Sequence, residues 1–184
     1  MTSQDILNLI RKDEWMMNVL LTVRDLHLPD WMIGAGFVRG KVWDFLHGYV
    51  TRTPLGDIDV IYYDKTDLRE EKEVELQNIL KGKMPDSVWS VTNQARMHIE
   101  NNDAEYKSSE DALAHWPETP TCVAVLIDEN HNLKLVTPYG IKDLVSLEIR
   151  PSPKFTRDIK LYRERINKKK WQEKWPQLKI HNLG

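Results

Sequence analysis

The segment Gly56-Asp57-Ile58-Asp59-Val60-Ile61 limits the fold of this chain more than any other. Ile58, Val60 and Ile61 favour extended backbone, which predicts a strand from Asp57 to Tyr63. Side chains two apart on a strand leave the same face. Asp57 and Asp59 therefore project together, while Ile58 and Val60 turn toward a core. Two carboxylates this close repel each other, and burying them without a partner is costly. A divalent cation removes that cost. Mg²⁺ takes hard oxygen ligands at about 2.1 Å and keeps part of its water shell for phosphate oxygens. The pair thus suits a site for Mg²⁺ or Mn²⁺, where phosphoryl-type transfer proceeds by positioning and charge neutralisation. An Asp-x-Asp alone carries little weight. Its place at the head of an apolar strand, downstream of a glycine-rich turn, gives it more.

That turn reads Ile33-Gly34-Ala35-Gly36-Phe37-Val38-Arg39. A short strand from Trp31 to Ile33 runs into small residues and then into a helix over about 37–46. Glycines let backbone approach a phosphate closely, and the free N–H groups of a helix start favour an anion. Gly34, Ala35 and Gly36 are the candidate cradle, and Arg39 in the first turn can reach a phosphate with its fork. A competitor exists. Gly34, Gly36 and Gly40 come near the dinucleotide-binding fingerprint, with Asp64 available as the ribose acid. That NAD-binding oxidoreductase reading leaves Asp57 and Asp59 idle and needs parallel strand–helix units. The second half of the chain promises a hairpin instead.

The rest of the chain sets bounds. Its 184 residues, 41% of them hydrophobic, suffice for one domain and are short for two. Residues 1–184 are read as a single unit: a helix over 4–28, a core over about 31–150, and a C-terminal helix and tail over 153–184. The formal net charge of −2 makes no demand for a nucleic-acid partner. The lone Cys122 can form no internal disulfide. No apolar run approaches the ~20 residues that span a bilayer, and the charged N-terminus is unlike a signal peptide, so a cytoplasmic protein without membrane contact is expected. Further helices are predicted over 67–82, 109–115, 139–147 and about 155–170. A strand is predicted over 88–99, and a hairpin over 121–136. Strands alternate with helices at first and then cluster. That suits an α+β (mixed α/β) fold, one small mixed sheet with helices mainly on one side.

Taken together, Gly34 to Arg39 and Asp57 to Val60 resemble the polymerase-beta-like nucleotidyltransferase superfamily. Ala35 to Arg39 is similar to the equivalent turn of tRNA CCA-adding enzymes. The whole chain is more similar still to a family of bacterial nucleotidyltransferase-like proteins of unsettled substrate. Its marks are Ile33–Arg39, Pro54–Val60, Asn93-Gln94-Ala95-Arg96-Met97-His98, Trp116–Thr119 and Pro138–Leu144. The resemblance implies Mg²⁺ on Asp57 and Asp59 and a triphosphate near Gly34 to Arg39. It implies transfer of a nucleoside monophosphate from a nucleoside triphosphate to an acceptor, with pyrophosphate leaving.

The superfamily usually has a third carboxylate on a following strand, and Val88 to Asn93 contains none. His98 and Glu118 are the remaining groups able to take a proton. If the strand continues past Asn93, Gln94, Arg96 and His98 share a face, so Asn93, Arg96, His98 and Glu118 are candidate cleft residues. The alternative for them is hydrogen bonding that holds the loop over 101–120. Lys168-Lys169-Lys170 with Trp171 and Trp175 reads either as an RNA contact or as a solvated helix end whose tryptophans pack back. No acceptor-binding region is evident after residue 150. A small acceptor is therefore favoured over a folded RNA, and a nucleotide-binding module without catalysis is the alternative.

Overall fold

Met32–Gly34 (β1) lies at the centre of a five-stranded sheet in the computed structural model, which describes residues 1–181. Ile58–Tyr62 (β2) and Ala124–Ile127 (β4) flank it, both antiparallel to it. Trp89–Asn93 (β3) runs parallel to β2 at one edge. Leu133–Val136 (β5) closes the expected hairpin at the other. The antiparallel pairing of β1 with β2 overturns the dinucleotide-binding alternative. The strand before the glycine turn and the strand after it are not the parallel pair that fingerprint needs.

Strand alternation divides the core. Ile33, Ile58, Val60, Tyr62, Val91, Val125 and Ile127 enter a large cluster. It is shared with the helices Ser3–Arg11 (α1), Glu14–Arg24 (α2), Gly36–Leu46 (α3) and Glu70–Lys83 (α4). The charged α4 contributes only Leu76 and Leu80 to the core; Ile79 and Leu68 stay exposed. Met32, Ile61, Ala124 and Val136 face the opposite way, into a small cluster closed by Leu113 and Trp116. Asp57 and Asp59 keep the parity of Ile61, so they belong to this thinly covered face.

Four predicted elements have other bounds, three of them for a local reason. The helix expected over 4–28 is two. Asp13 accepts a hydrogen bond from the Met16 N–H and restarts the chain as α2, while Thr2 and Asp5 form a capping box on α1. The strand expected to reach Ile99 stops at Asn93, whose side chain caps the Ala95 N–H and opens the helix Gln94–Glu100 (α5). Gln94, Arg96 and His98 therefore do not alternate along a strand. Ser109–Ala114 (α6) lies within the range expected for it. The helix expected over 139–147 is only Lys142–Val145 (α7). The last long helix, Ile159–Lys169 (α8), begins late because Asp158 caps the Leu161 N–H. Trp171–Lys174 (α9) follows. An unforeseen two-residue pairing of Glu148–Ile149 (β6) with Lys179–Ile180 (β7) ties the tail down.

Gly34 is a packing position. A Cβ there would stand 2.8 Å from Cη2 of Trp116, the ring that covers the thin face. Gly34→Ala is expected to lower stability by about 1–3 kcal/mol through overpacking. Urea unfolding followed by tryptophan fluorescence would show this as a lowered midpoint. An unchanged midpoint would mean that the ring moves aside freely.

Candidate active site

The first turn of α3 opens into a cleft. Ala35 holds φ 46° and ψ −115°, backbone that an alanine adopts only under strain, and no side chain caps the helix. The Ala35 N–H donates to the Val123 carbonyl at 2.9 Å, which fixes the turn on β4. Gly36 lacks a Cβ where one would meet Leu55 at 2.9 Å, so the loop over 47–57 can lie against the turn. Two carboxylates pin that loop. Asp44 accepts from the Thr53 N–H and hydroxyl at 2.9 and 2.6 Å. Both oxygens of Asp13 accept from Arg52 at 2.8 and 2.7 Å. The loop then delivers Asp57 to the head of β2.

Asp57 and Asp59 line the cleft together with Ala35, Gly36 and Arg39. Neither carboxylate has a hydrogen bond or ion pair among the described residues. Burial and repulsion by Asp57 raise the Asp59 carboxyl from 3.8 to about 6. Among the described residues there is no cluster of three or more His, Cys, Asp or Glu side chains. The donor set is thus two hard, unengaged carboxylate groups side by side. It fits a divalent cation that completes its coordination with water and phosphate oxygens.

Arg39 is buried but charged. Its guanidinium lies 4.4 Å from the Trp171 ring centre and 5.1 Å from that of Trp43. Desolvation pulls its pKa down to about 10. Nη1 donates to the Thr121 hydroxyl at 3.2 Å, while the buried Nε has no partner. An unused guanidinium donor beside a cleft is a ready anion contact.

The helices α8 and α9 supply the opposite wall, which the sequence reading missed. Arg165, Lys169, Trp171, Lys174 and Trp175 all line the cleft. Lys169 is shifted below its ordinary value by burial and by Arg165 and Arg39. The tryptophans pack back as one of the two readings proposed. Trp175 Nε1 donates to Asp44 at 2.8 Å, and Trp43 meets Trp171 and Trp175 edge-on at 5.8 and 5.1 Å. The basic run broken by tryptophans at 171 and 175 was the available signal. Nothing local in it points to position 39.

Glu118 is fully buried behind this wall, not in the cleft. It accepts from Arg165 Nε at 2.6 Å and from the Thr121 hydroxyl at 2.8 Å. Since Thr121 also receives Arg39, one carboxylate steadies Arg39 and Arg165. Asn93, Arg96 and His98 do not line the cleft. Asn93 is buried at the end of β3, accepting from the Asp64 N–H and donating to the Asp64 and Asp67 carbonyls. Arg96 is held by Glu70, Glu73 and Glu100. His98 packs edge-on against Tyr106 at 6.2 Å. The side-chain hydrogen bonds of Asn93 and Arg96 run to residues 64–73, 95 and 100, not to the loop over 101–120, which only the His98 ring meets, at Tyr106. Gly34 lies under Trp116, outside the cleft.

Comparison with known proteins gives the same reading of the fold. An NMR structure described as revealing a CCA-adding enzyme head domain is 36% identical, with a TM-score of 0.88 over 98% of this chain and 96% of that one. The Thermotoga maritima CCA-adding enzyme complexed with tRNA is 15% identical with a TM-score of 0.59, over 97% of this chain and 42% of that one. A CCA-adding enzyme complexed with CTP is 17% identical with a TM-score of 0.56, over 96% and 42%. These last two speak for the fold alone, and this chain spans under half their length. A search of the curated proteins finds no match. A family model described as nucleotidyltransferase matches residues 21–180, and the chain belongs to that nucleotidyltransferase family, whose reactions use a nucleoside triphosphate.

Proposed function

We propose that this protein transfers a nucleoside monophosphate from a nucleoside triphosphate to a small acceptor, with pyrophosphate leaving and Mg²⁺ or Mn²⁺ required. One observation carries the reading. Two unpartnered carboxylates face a cleft whose walls bring Arg39, Arg165, Lys169 and Lys174 to the uncapped start of α3. Asp57 and Asp59 would hold the metal, which supplies charge neutralisation for phosphate oxygens. Arg39 and Lys169 would hold the triphosphate charge, with the first-turn N–H groups of α3 oriented to the same anion. CTP and tRNA are bound by the CCA-adding enzymes named above, which supports a nucleotide ligand and leaves RNA as the alternative acceptor. No described helix is long and apolar enough to cross a membrane. We place the protein in the cytoplasm, a reducing setting that suits the free, buried Cys122.

Titration with a nucleoside triphosphate tests this. Affinity is expected to rise by about tenfold or more when Mg²⁺ is added, since the ion relieves carboxylate–phosphate repulsion. Equal affinity with and without metal would sink the assignment.

A second reading, a nucleotide-binding module without turnover, is favoured by the register of β3. Ser90 stands opposite Asp59, so the neighbouring strand brings no acid to the pair. Pyrophosphate release assayed over a broad set of acceptors separates the two. Tight binding without release favours the module.

A further inference from the structure

A second, shallower groove opens at Asp57. Trp15, Arg52, Leu55, Asp57, Asp86 and Val88 line it, and it shares Arg52, Leu55 and Asp57 with the cationic cleft. Its chemistry differs from that cleft. The one cation, Arg52, is already engaged by both oxygens of Asp13 and stacks 4.2 Å from the Trp15 ring centre. Two carboxylates remain, and Asp86 has no hydrogen bond or ion pair among the described residues. The Trp15 indole is braced by Phe37 at 5.8 Å, and the apolar Val88 is 64% exposed at the lip.

In-line displacement at an α-phosphate needs the attacking oxygen and the leaving pyrophosphate on opposite sides of phosphorus. Phosphates drawn to Arg39, Lys169 and Lys174 leave the side toward Trp15 for the acceptor. We infer that this groove is the acceptor subsite and that it takes a small hydroxyl compound, uncharged or cationic, with an apolar part resting on Trp15, Leu55 and Val88. The inference rests on the transfer reading above. In the step, the acceptor oxygen bonds to the α-phosphorus, and the bond from phosphorus to the α,β-bridging oxygen breaks. Pyrophosphate departs with that electron pair toward the cations, and the hydroxyl proton passes to water in the open groove. Asp86 orients the acceptor by accepting a hydrogen bond or facing its positive charge. Added phosphates on an acceptor would meet Asp86 and an Arg52 already neutralised by Asp13, which is why an anionic acceptor is disfavoured.

The test uses triphosphates labelled at the α-phosphate. Small molecules of a cell extract are separated by ion exchange into cationic, uncharged and anionic fractions, with total RNA as a fourth acceptor. Label is expected in the cationic or uncharged fraction. Asp86→Lys is expected to raise the half-saturating dose of that fraction about tenfold or more while triphosphate affinity stays within about twofold. Trp15→Leu is expected to act in the same direction. Label in the anionic fraction or RNA overturns the inference, as does an unchanged dose in both variants. Label in no fraction from protein that still binds triphosphate strikes the transfer reading, and the inference falls with it. Loss of metal-dependent triphosphate binding in the unaltered protein strikes the transfer reading as well, whereas label in the wrong fraction strikes the inference alone.

Discussion

Asp59→Asn is expected to abolish nucleotidyl transfer and, in metal-free buffer, to make the protein more resistant to heat. Loss of one of the two carboxylates proposed to hold the metal should lower pyrophosphate release by on the order of 10³-fold. The stability gain follows from the same repulsion that readies the site. Asp59 is shifted from 3.8 to about 6 by burial and by Asp57, so the folded state holds this proton more tightly than the unfolded one. Stability therefore falls as pH rises through that window, and the full cost stands above it. A shift of this size corresponds to about 3 kcal/mol, or roughly 2 kcal/mol once solvent at the open side of the cleft is allowed for. Asparagine removes the charge, so the melting temperature at pH 8 should rise by about 4–8 °C, with the gain gone near pH 4. Added Mg²⁺ should raise the melting temperature of the unaltered protein and leave the variant unmoved. Full turnover by the variant, or equal melting temperatures at pH 8 without metal, would remove Asp59 from the metal site.

Glu118→Gln should have the largest effect on stability. Glu118 is fully buried and pairs with Arg165. Its other oxygen receives Thr121, which receives Arg39. The variant leaves a buried guanidinium facing a second one without the carboxylate between them. Removing one partner of a buried pair costs about 3–5 kcal/mol, and about 2–3 is expected here because Arg165 is partly solvated. The melting temperature should fall by roughly 5–10 °C. Triphosphate affinity should fall too, because Arg39 loses the hydroxyl that orients it. Removing the second charge, in Glu118→Gln with Arg165→Met, should recover part of the stability without the affinity. A single variant that melts like the unaltered protein would show that Glu118 does not anchor this wall.

The elements that carry the paired carboxylates were legible because they depend on short-range rules. A two-residue period puts Asp57 and Asp59 on one face, and strand, small-residue turn and helix follow from Ile33 to Leu46. Family membership rests on the same residues and agrees with the match over 21–180. Capping residues inside apolar patterns were the main source of error. Asp13 and Asn93 each stop one element and start another, yet the periodicity runs on past them. The roof and far wall of the cleft were illegible for a different reason. Trp175 meets Asp44 across 131 residues, and Arg165 meets Glu118 across 47. Such pairs are set by the whole tertiary arrangement, and no window of sequence contains both partners.

The hydrogen bond from Trp175 to Asp44 also sets an order of events in the life of the chain. During synthesis the glycine turn, the carboxylate strand and the sheet all emerge long before residues 165–175. Until those residues dock, Arg39 has the Trp43 ring but lacks the nearer Trp171 indole, and the cationic wall does not exist. A nascent chain of this protein therefore passes through a stage in which its sheet can form while its cleft cannot. On the proposed function, competence to bind nucleotide arrives only once residues 165–175 have docked.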